Sequence, residues 1–306
     1  GKAALNLKKV KKTPELYRSS VEVVNFLKGT YLTAGDLNTF KDDLIECSKV
    51  TKHVYGINVG LPLSCLYLGT VLEQAGYRVE ILDERITTHF EEEVAQSIRQ
   101  ERPILAGIST MTGMQIRGGL KAAQILRSLD PALSIVWGGV HPSLCPDSTL
   151  KDEYCDMVVI GEGEITLIEL ADCLREGTDP DLVPGIGYKK EGQLKFTPSR
   201  PMIEDLDVLP RPDYDLIEMD RYFTSAPSTG EAQLQMVTSR GCPFDCEFCY
   251  NLKFNDQRFR HHSAERTVSD VAYLVERFGV NAIFFEDDYF FGNPRRVEEI
   301  CDLLIE

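Results

Sequence analysis

Three cysteines, Cys242, Cys246 and Cys249, stand in the run TSRGCPFDCEFCYN with the spacing C-x3-C-x2-C. Thiolates are soft donors. Three on one short loop can hold three irons of a cubic iron–sulfur cluster and leave the fourth iron open to a small chelating molecule. A closed electron-transfer cluster would want a fourth cysteine nearby, and the next one, Cys301, lies far along the chain. A zinc ribbon would want two cysteine pairs, and only one thiolate group is present. A second concentration of charge follows at Glu286, Asp287 and Asp288. Adjacent carboxylates repel one another unless a cation or a set of donors is near. The dipole of a following helix would account for Asp288 alone, but less well for all three.

Both groups sit where strands should end. Residues 233–238 (QLQMVT) read as a strand feeding the cysteine loop, and residues 280–285 (VNAIFF) as a second strand feeding the acids. Between them Ser263 can cap a helix running to Phe278. After them Asn293 can cap another, with Pro294 at its first position. The cysteines therefore lie at the carboxyl end of a strand, where active sites of (β/α) barrels are built. His261 and His262, after Arg258 and Arg260, read as a surface loop.

Upstream, residues 61–177 alternate strand and helix patterns. Helices are expected at 62–75 (stopped by Gly76), 90–100, 114–129 and 164–176, with strands at 77–83, 103–109, 133–137 and 156–160. Such alternation predicts a doubly wound parallel sheet with helices on both faces. Ligands bind at the carboxyl edge of such sheets. Here that edge carries STMTG at 109–113, GGVHP at 138–142 and GEGE at 161–164. Glycine permits close backbone approach, and three successive strand ends of this kind suit a broad, flat ligand. A nicotinamide dinucleotide would need G-x-G-x-x-G after the first strand, which Gly56 and Gly60 do not supply; Asp83 alone is weak support for one.

The 306 residues are enough for about two domains. Their net charge of −15 argues against a nucleic-acid groove. Lys8, Lys9, Lys11 and Lys12 form the one basic run, read as a solvated surface. No apolar run approaches the ~20 residues of a membrane helix. The first residues lack an export signal, so a cytoplasmic chain with reduced cysteines is expected. Cysteines 47, 65, 145, 155, 173 and 301 read as buried small hydrophobes. Residues 178–232 read as a proline-rich linker with a hairpin at 186–196 and an acidic stretch at 203–212, whose carboxylates are expected to be solvated or to cap turns.

The cysteine run, together with PLSCLYLGTVLEQAGYRVEILD, GGVHPS, GEGEIT and FEDD, resembles the cobalamin-dependent radical S-adenosylmethionine (SAM) enzymes. The likeness runs from about Leu61 to the end of the chain. It implies a Rossmann-like cobalamin-binding domain over 1–177, the linker over 178–232, and the N-terminal part of a partial (β/α) barrel over 233–306. Only two βα units of that barrel are present, so the chain is expected to be truncated or to be completed by a second chain. Cys242, Cys246 and Cys249 match the [4Fe-4S] ligands. Phe248 and Tyr250 match aromatic positions beside the cluster and the adenine of SAM. Asp287, then Glu286 and Asp288, match the strand end that binds the SAM ammonium group.

Ser109, Thr112, Gly138, Gly139, His141, Gly161, Glu162, Gly163 and Glu164 match loops lining cobalamin. His141 is expected to bond a neighbouring loop. His53 only faintly echoes a cobalt-ligating motif, since Thr51 stands where that motif has aspartate; no protein histidine is expected on the lower face of cobalt. At the N-terminus a strand at 3–7 and helices at 14–28 and 36–49, within an insertion at 8–60, are expected; the alternative is a first strand at 53–59 preceded by an N-terminal extension. The resemblance implies a methyltransferase acting on an unactivated carbon through a 5′-deoxyadenosyl radical, with a small-molecule substrate and a ferredoxin- or flavodoxin-type electron donor. An oxidative ring cyclase of the porphyrin type and a non-catalytic cobalamin-binding module are the alternatives.

Overall fold

The computed structural model describes residues 59–87, 89–225 and 232–305. The elements expected before Val59, with His53 and Cys47, lie outside those residues. Helix α1 (Leu63–Gln74) follows Pro62, and Gly76 (φ +88°) turns the chain after it, its amide bonded to the Glu73 carbonyl at 2.9 Å. Residues 77–83 then run without a ladder partner among the described residues. Their alternation is nevertheless satisfied: Ile81 packs into one core and Leu82 into another. Alternation reports two buried faces, not a hydrogen-bonded neighbour.

The first layered unit continues through α2 (Phe90–Glu101), β1 (Leu105–Ser109), α3 (Met114–Leu129), β2 (Ser134–Gly138), the short α4 (Val140–Leu144) and α5 (Pro146–Leu150), β3 (Met157–Val159) and α6 (Glu164–Glu176). β1, β2 and β3 pair in parallel. The hairpin expected in the linker is part of the same sheet. β4 (Ile186–Lys190) pairs antiparallel with β3, and β5 (Gln193–Phe196) with β4, giving the order β1-β2-β3-β4-β5. Strand β2 shows why helices cover both faces. Ile135 and Trp137 join Val94, Ile98, Ala123 and Leu126 on one side, while Val136 joins Leu167, Leu170 and Ile186 on the other.

Short turns follow, in which Asp205 and Asp213 each accept the amide two residues on, the capping role expected of the acidic stretch. The second sheet comprises β6 (Thr224–Ser225), β7 (Ala232–Met236) and, after the ribbon strand β8 (Ser239–Arg240), the turn helix α7 (Asn251–Phe254), ribbon strand β9 (Arg260–His261) and helix α8 (Ala264–Phe278), the strand β10 (Ala282–Phe285). Helix α9 (Pro294–Ile305) ends the described chain. β10 pairs parallel with β7, and β6 pairs antiparallel on the other side of β7. The Ser263 hydroxyl accepts the Arg266 amide, as its expected capping role requires, and Gly279 (φ +65°) closes α8. Leu63 and Leu66 of α1 lie in one core with Tyr214, Met219, Leu234, Met236 and Leu274, so α1 packs against the second sheet's strands as well as against α6. Cys155 and Cys173 are buried as expected, whereas Cys145 and Cys301 are exposed.

Candidate cofactor-binding site

The carboxyl edge of the first sheet is a set of loops laced together by short polar contacts. The His141 amide bonds the Thr110 carbonyl at 3.1 Å, and the His141 ring nitrogen Nδ1 lies 3.1 Å from the Thr112 hydroxyl. This is the structural role expected of His141. Ser143 donates to the Gly139 carbonyl at 2.7 Å and accepts the Gly161 amide at 2.9 Å, which ties the second loop to the third. At Gly139 (φ +92°) any side chain would be strained, and a Cβ would stand 2.8 Å from the Thr110 carbonyl oxygen. Ser109 reaches across to Ser64 of α1, 3.3 Å away. Among the described residues the buried Thr110 hydroxyl has no hydrogen-bond partner, an acceptor and donor left over at this edge. Beyond Gly161 there is open space. Exposed backbone, hydroxyls and one unspent buried hydroxyl fit a broad polar-edged ligand such as a corrin.

The carboxylates of Glu162 and Glu164, in the third loop, are both taken up by arginines. The Glu162 side chain is 9 % exposed; it accepts Arg240 at 2.8 Å, Arg260 at 2.8 and 2.9 Å and the Ile203 amide at 2.8 Å. Burial pushes its pKa up, but the bonds from Arg260 and Arg240 outweigh burial and hold it below the ordinary glutamate value. Glu164 accepts Arg240 at 2.5 Å.

Arg240 leads directly into the cysteine loop. At the intervening Gly241 (φ +82°) a Cβ would lie 2.1 Å from the Arg258 carbonyl oxygen. The Cys249 amide bonds the Cys246 carbonyl at 2.9 Å in a tight turn. Cys242 and Cys249 are partly buried and Cys246 is exposed, and all three are free thiols. Among the described residues no three His, Cys, Asp or Glu side chains are gathered at one point as metal ligands. The donor set itself, three soft thiols on one loop, fits an iron–sulfur cluster. Phe248 is 95 % exposed, while Phe244 meets Tyr289 edge-on at 5.2 Å. Helix α7, immediately after Cys249, packs against α4 of the GGVHPS loop.

The three acids at the end of β10 divide into distinct tasks. Asp287, expected to lead in binding an ammonium group, accepts donors from its own scaffold. Its Oδ1 accepts the Thr238 amide at 2.9 Å, the Thr238 hydroxyl at 3.1 Å and the Ser239 hydroxyl at 2.5 Å. It thereby joins the ends of β7 and β10. Asp288 accepts the Tyr250 hydroxyl at 2.7 Å. Burial, and then the Asp288 bond, hold the Tyr250 phenol well above its usual pKa. The Glu286 amide bonds the Met236 carbonyl at 2.8 Å, but its carboxylate has no hydrogen-bond partner among the described residues; partial desolvation raises its pKa while Arg85 pulls the other way. His262 is buried rather than on a surface loop, with Nδ1 3.0 Å from Asp207. Arg296, 2 % exposed, donates to the His262 carbonyl at 2.7 Å and the Thr238 carbonyl at 3.2 Å. Arg240, Arg260 and Arg296 were not legible as site residues. The nearest signal was the position of Arg240 two residues before Cys242.

The B12 binding domain family matches residues 55–171. An uncharacterized methyltransferase, PH0819, of Pyrococcus horikoshii is 34 % identical over 250 residues, covering 81 % of this chain and 53 % of the relative. The chain thus carries a B12 binding domain, and its homologues include cobalamin-dependent radical SAM methyltransferases. Another relative is the anaerobic magnesium-protoporphyrin IX monomethyl ester cyclase of Rubrivivax gelatinosus, 29 % identical over 252 residues, covering 80 % of the chain and 44 % of the cyclase. The solved structure of the cobalamin-dependent S-adenosylmethionine radical enzyme OxsB with aqua-cobalamin bound is 25 % identical and superposes with a TM-score of 0.68, covering 84 % of the chain and 36 % of OxsB. The chain thus spans about half the length of these curated relatives.

Proposed function

We propose that this chain carries the cofactor-binding part of a cobalamin-dependent radical SAM methyltransferase that alkylates an unactivated carbon of a small molecule through a 5′-deoxyadenosyl radical. The observation that carries the proposal is the packing of α7, which leaves the third cysteine, on α4 of the GGVHPS loop. It brings the loop suited to a cluster beside the edge suited to a corrin. When bound, the cofactors would supply reductive cleavage of a sulfonium, hydrogen abstraction and a cobalt-carried methyl group. The chain's own residues have positional tasks. Cys242, Cys246 and Cys249 hold iron. Phe248 and Tyr250 flank the cluster. Ser109, Thr112, Gly138, Gly139, Gly161 and Gly163 line the corrin, with His141 holding their loops together. Glu286 is the acid left free for the SAM ammonium group, and an external electron donor of ferredoxin or flavodoxin type is required.

The test is anaerobic reconstitution with ferrous iron, sulfide and hydroxocobalamin, followed by SAM and a one-electron reductant such as dithionite. The expected result is the brown absorbance of a cluster, one corrinoid per chain and SAM-dependent release of 5′-deoxyadenosine. Alanine at Cys242, Cys246 or Cys249 should abolish the brown absorbance and the release while leaving corrinoid uptake intact. A chain that takes up neither cofactor overturns the proposal. Similarity to the Rubrivivax cyclase favours a second reading, oxidative ring closure with the same cofactors. Transfer of labelled methyl from SAM to cobalamin separates the two, since only methyl transfer requires it.

A further inference from the structure

Arg240 and Arg260 are direct partners across the β8–β9 ribbon. Like charges placed opposite one another destabilise a strand pair. Both side chains are also withdrawn from water, with 19 % and 4 % exposure, so solvent cannot screen them. What neutralises them comes from the other layer of the molecule. Glu162 bridges the two guanidinium groups, accepting Arg240 at 2.8 Å and Arg260 at 2.8 Å, and Glu164 takes the second arm of Arg240 at 2.5 Å. Tyr67 of α1 lies under Arg240, with its ring centroid 5.5 Å from the guanidinium carbon. Arg260 is further fixed by the Ile203 carbonyl at 2.7 Å and Asn255 at 3.0 Å. The ribbon can therefore close with its arginines in register only when the GEGE loop is docked on it.

The two ends of this clasp have different neighbours. On one side, Glu162 sits between Gly161 and Gly163 at the corrin edge. On the other, Arg240 is joined to Cys242 through Gly241, whose backbone leaves no room for a side chain against Arg258. We infer that the Glu162–Glu164/Arg240–Arg260 clasp is a positioning device that sets the distance between the corrin edge and the cluster loop. This inference rests on the proposed function. It adds that Glu162 and Glu164 act through Arg240 and Arg260 without touching either cofactor. Planar guanidinium forks suit the task, because two-point contacts fix orientation as well as distance.

The readout is magnetic. In the chain loaded with cluster and cobalamin and then reduced, the cob(II)alamin electron spin should be split or broadened by the nearby reduced cluster. Glu164→Gln should leave cluster and corrinoid content at wild-type levels, yet shrink or smear that interaction. The double variant Arg240→Met with Glu164→Leu removes one positive and one negative charge together and leaves Glu162 with Arg260. It guards against a single variant that fails to fold, since apolar replacement of a whole buried pair is commonly tolerated. It should lose the resolved interaction with both cofactors still bound. Unchanged splitting in both variants overturns the clasp and leaves the proposed function standing. Loss of corrinoid uptake in Glu164→Gln also overturns it, by making the carboxylate a ligand contact. A loaded wild-type chain with no interaction between the spins overturns it as well. A wild-type chain that takes up neither cofactor overturns the clasp and the function together.

Discussion

Asp287 shows how much of a residue's hydrogen-bonding capacity its neighbours can occupy. The family resemblance makes it the first candidate to face a ligand cation. Its best oxygen accepts three donors from Thr238 and Ser239, and Thr238 and Ser239 are themselves buried. Asp287→Ala should therefore cost roughly 1–3 kcal/mol, because it strands the Thr238 amide away from water; urea unfolding of the chain checks this. Glu286→Gln, at the carboxylate left without a partner, should change stability little and weaken SAM binding, measured by calorimetry on the reconstituted chain. His262 yields a pH dependence with a definite sign. Burial holds its folded pKa below its ordinary 6.5, against the opposing pull of Asp207. The unfolded chain then binds a proton that the folded chain resists, so stability is full above that value and falls as pH drops below it. Thermal unfolding midpoints taken from neutral pH to about pH 5 should decline, and His262→Gln should flatten that slope.

At the scale of elements, periodicity made most of the fold legible and ligand roles less so. Helices α1, α2, α3, α6 and α8 stand where apolar spacing, Gly76 and the Ser263 cap put them. Residues 77–83 were misread because a stretch that feeds two cores alternates just as a paired strand does. The 186–196 hairpin was seen, but its membership of the first sheet was not, since pairing with β3 is a non-local fact that local pattern cannot carry. The candidate site divides in the same way. Cysteine spacing and glycine-rich strand ends can be read along the chain. The partners of Glu162 are Arg240 and Arg260, far away in sequence, and nothing in a four-residue motif announces them. The Gly241 turn gives this scale its test. Gly241→Ala would drive a Cβ to within 2.1 Å of the Arg258 carbonyl, a clash with backbone that the loop can relieve only by moving. Iron content after reconstitution should fall while corrinoid uptake persists.

At the scale of the molecule, residues 59–306 form one compact unit, and α1 is the reason two sheets count as one. Leu66, fully buried, belongs to the core it shares with β7 and α8, while Leu68 and Leu72 on the same helix pack into the core beneath β2 and β3. Leu66→Ala should cost about 2–5 kcal/mol. The loss should be felt everywhere at once. Fluorescence of Trp137, the single tryptophan, reports the first sheet, and near-ultraviolet dichroism of tyrosines such as Tyr214 and Tyr222 reports the second core. Their unfolding curves should shift together in the variant and coincide in both proteins. A helix that serves as a common wall also removes the option of a hinge between the layers. A bulky guest at the strand ends cannot be admitted by swinging one layer away from the other. The compliance it needs must come from the rim, from the stretches at 110–113 and 242–250, so that order there should change on loading while the frame beneath keeps its shape.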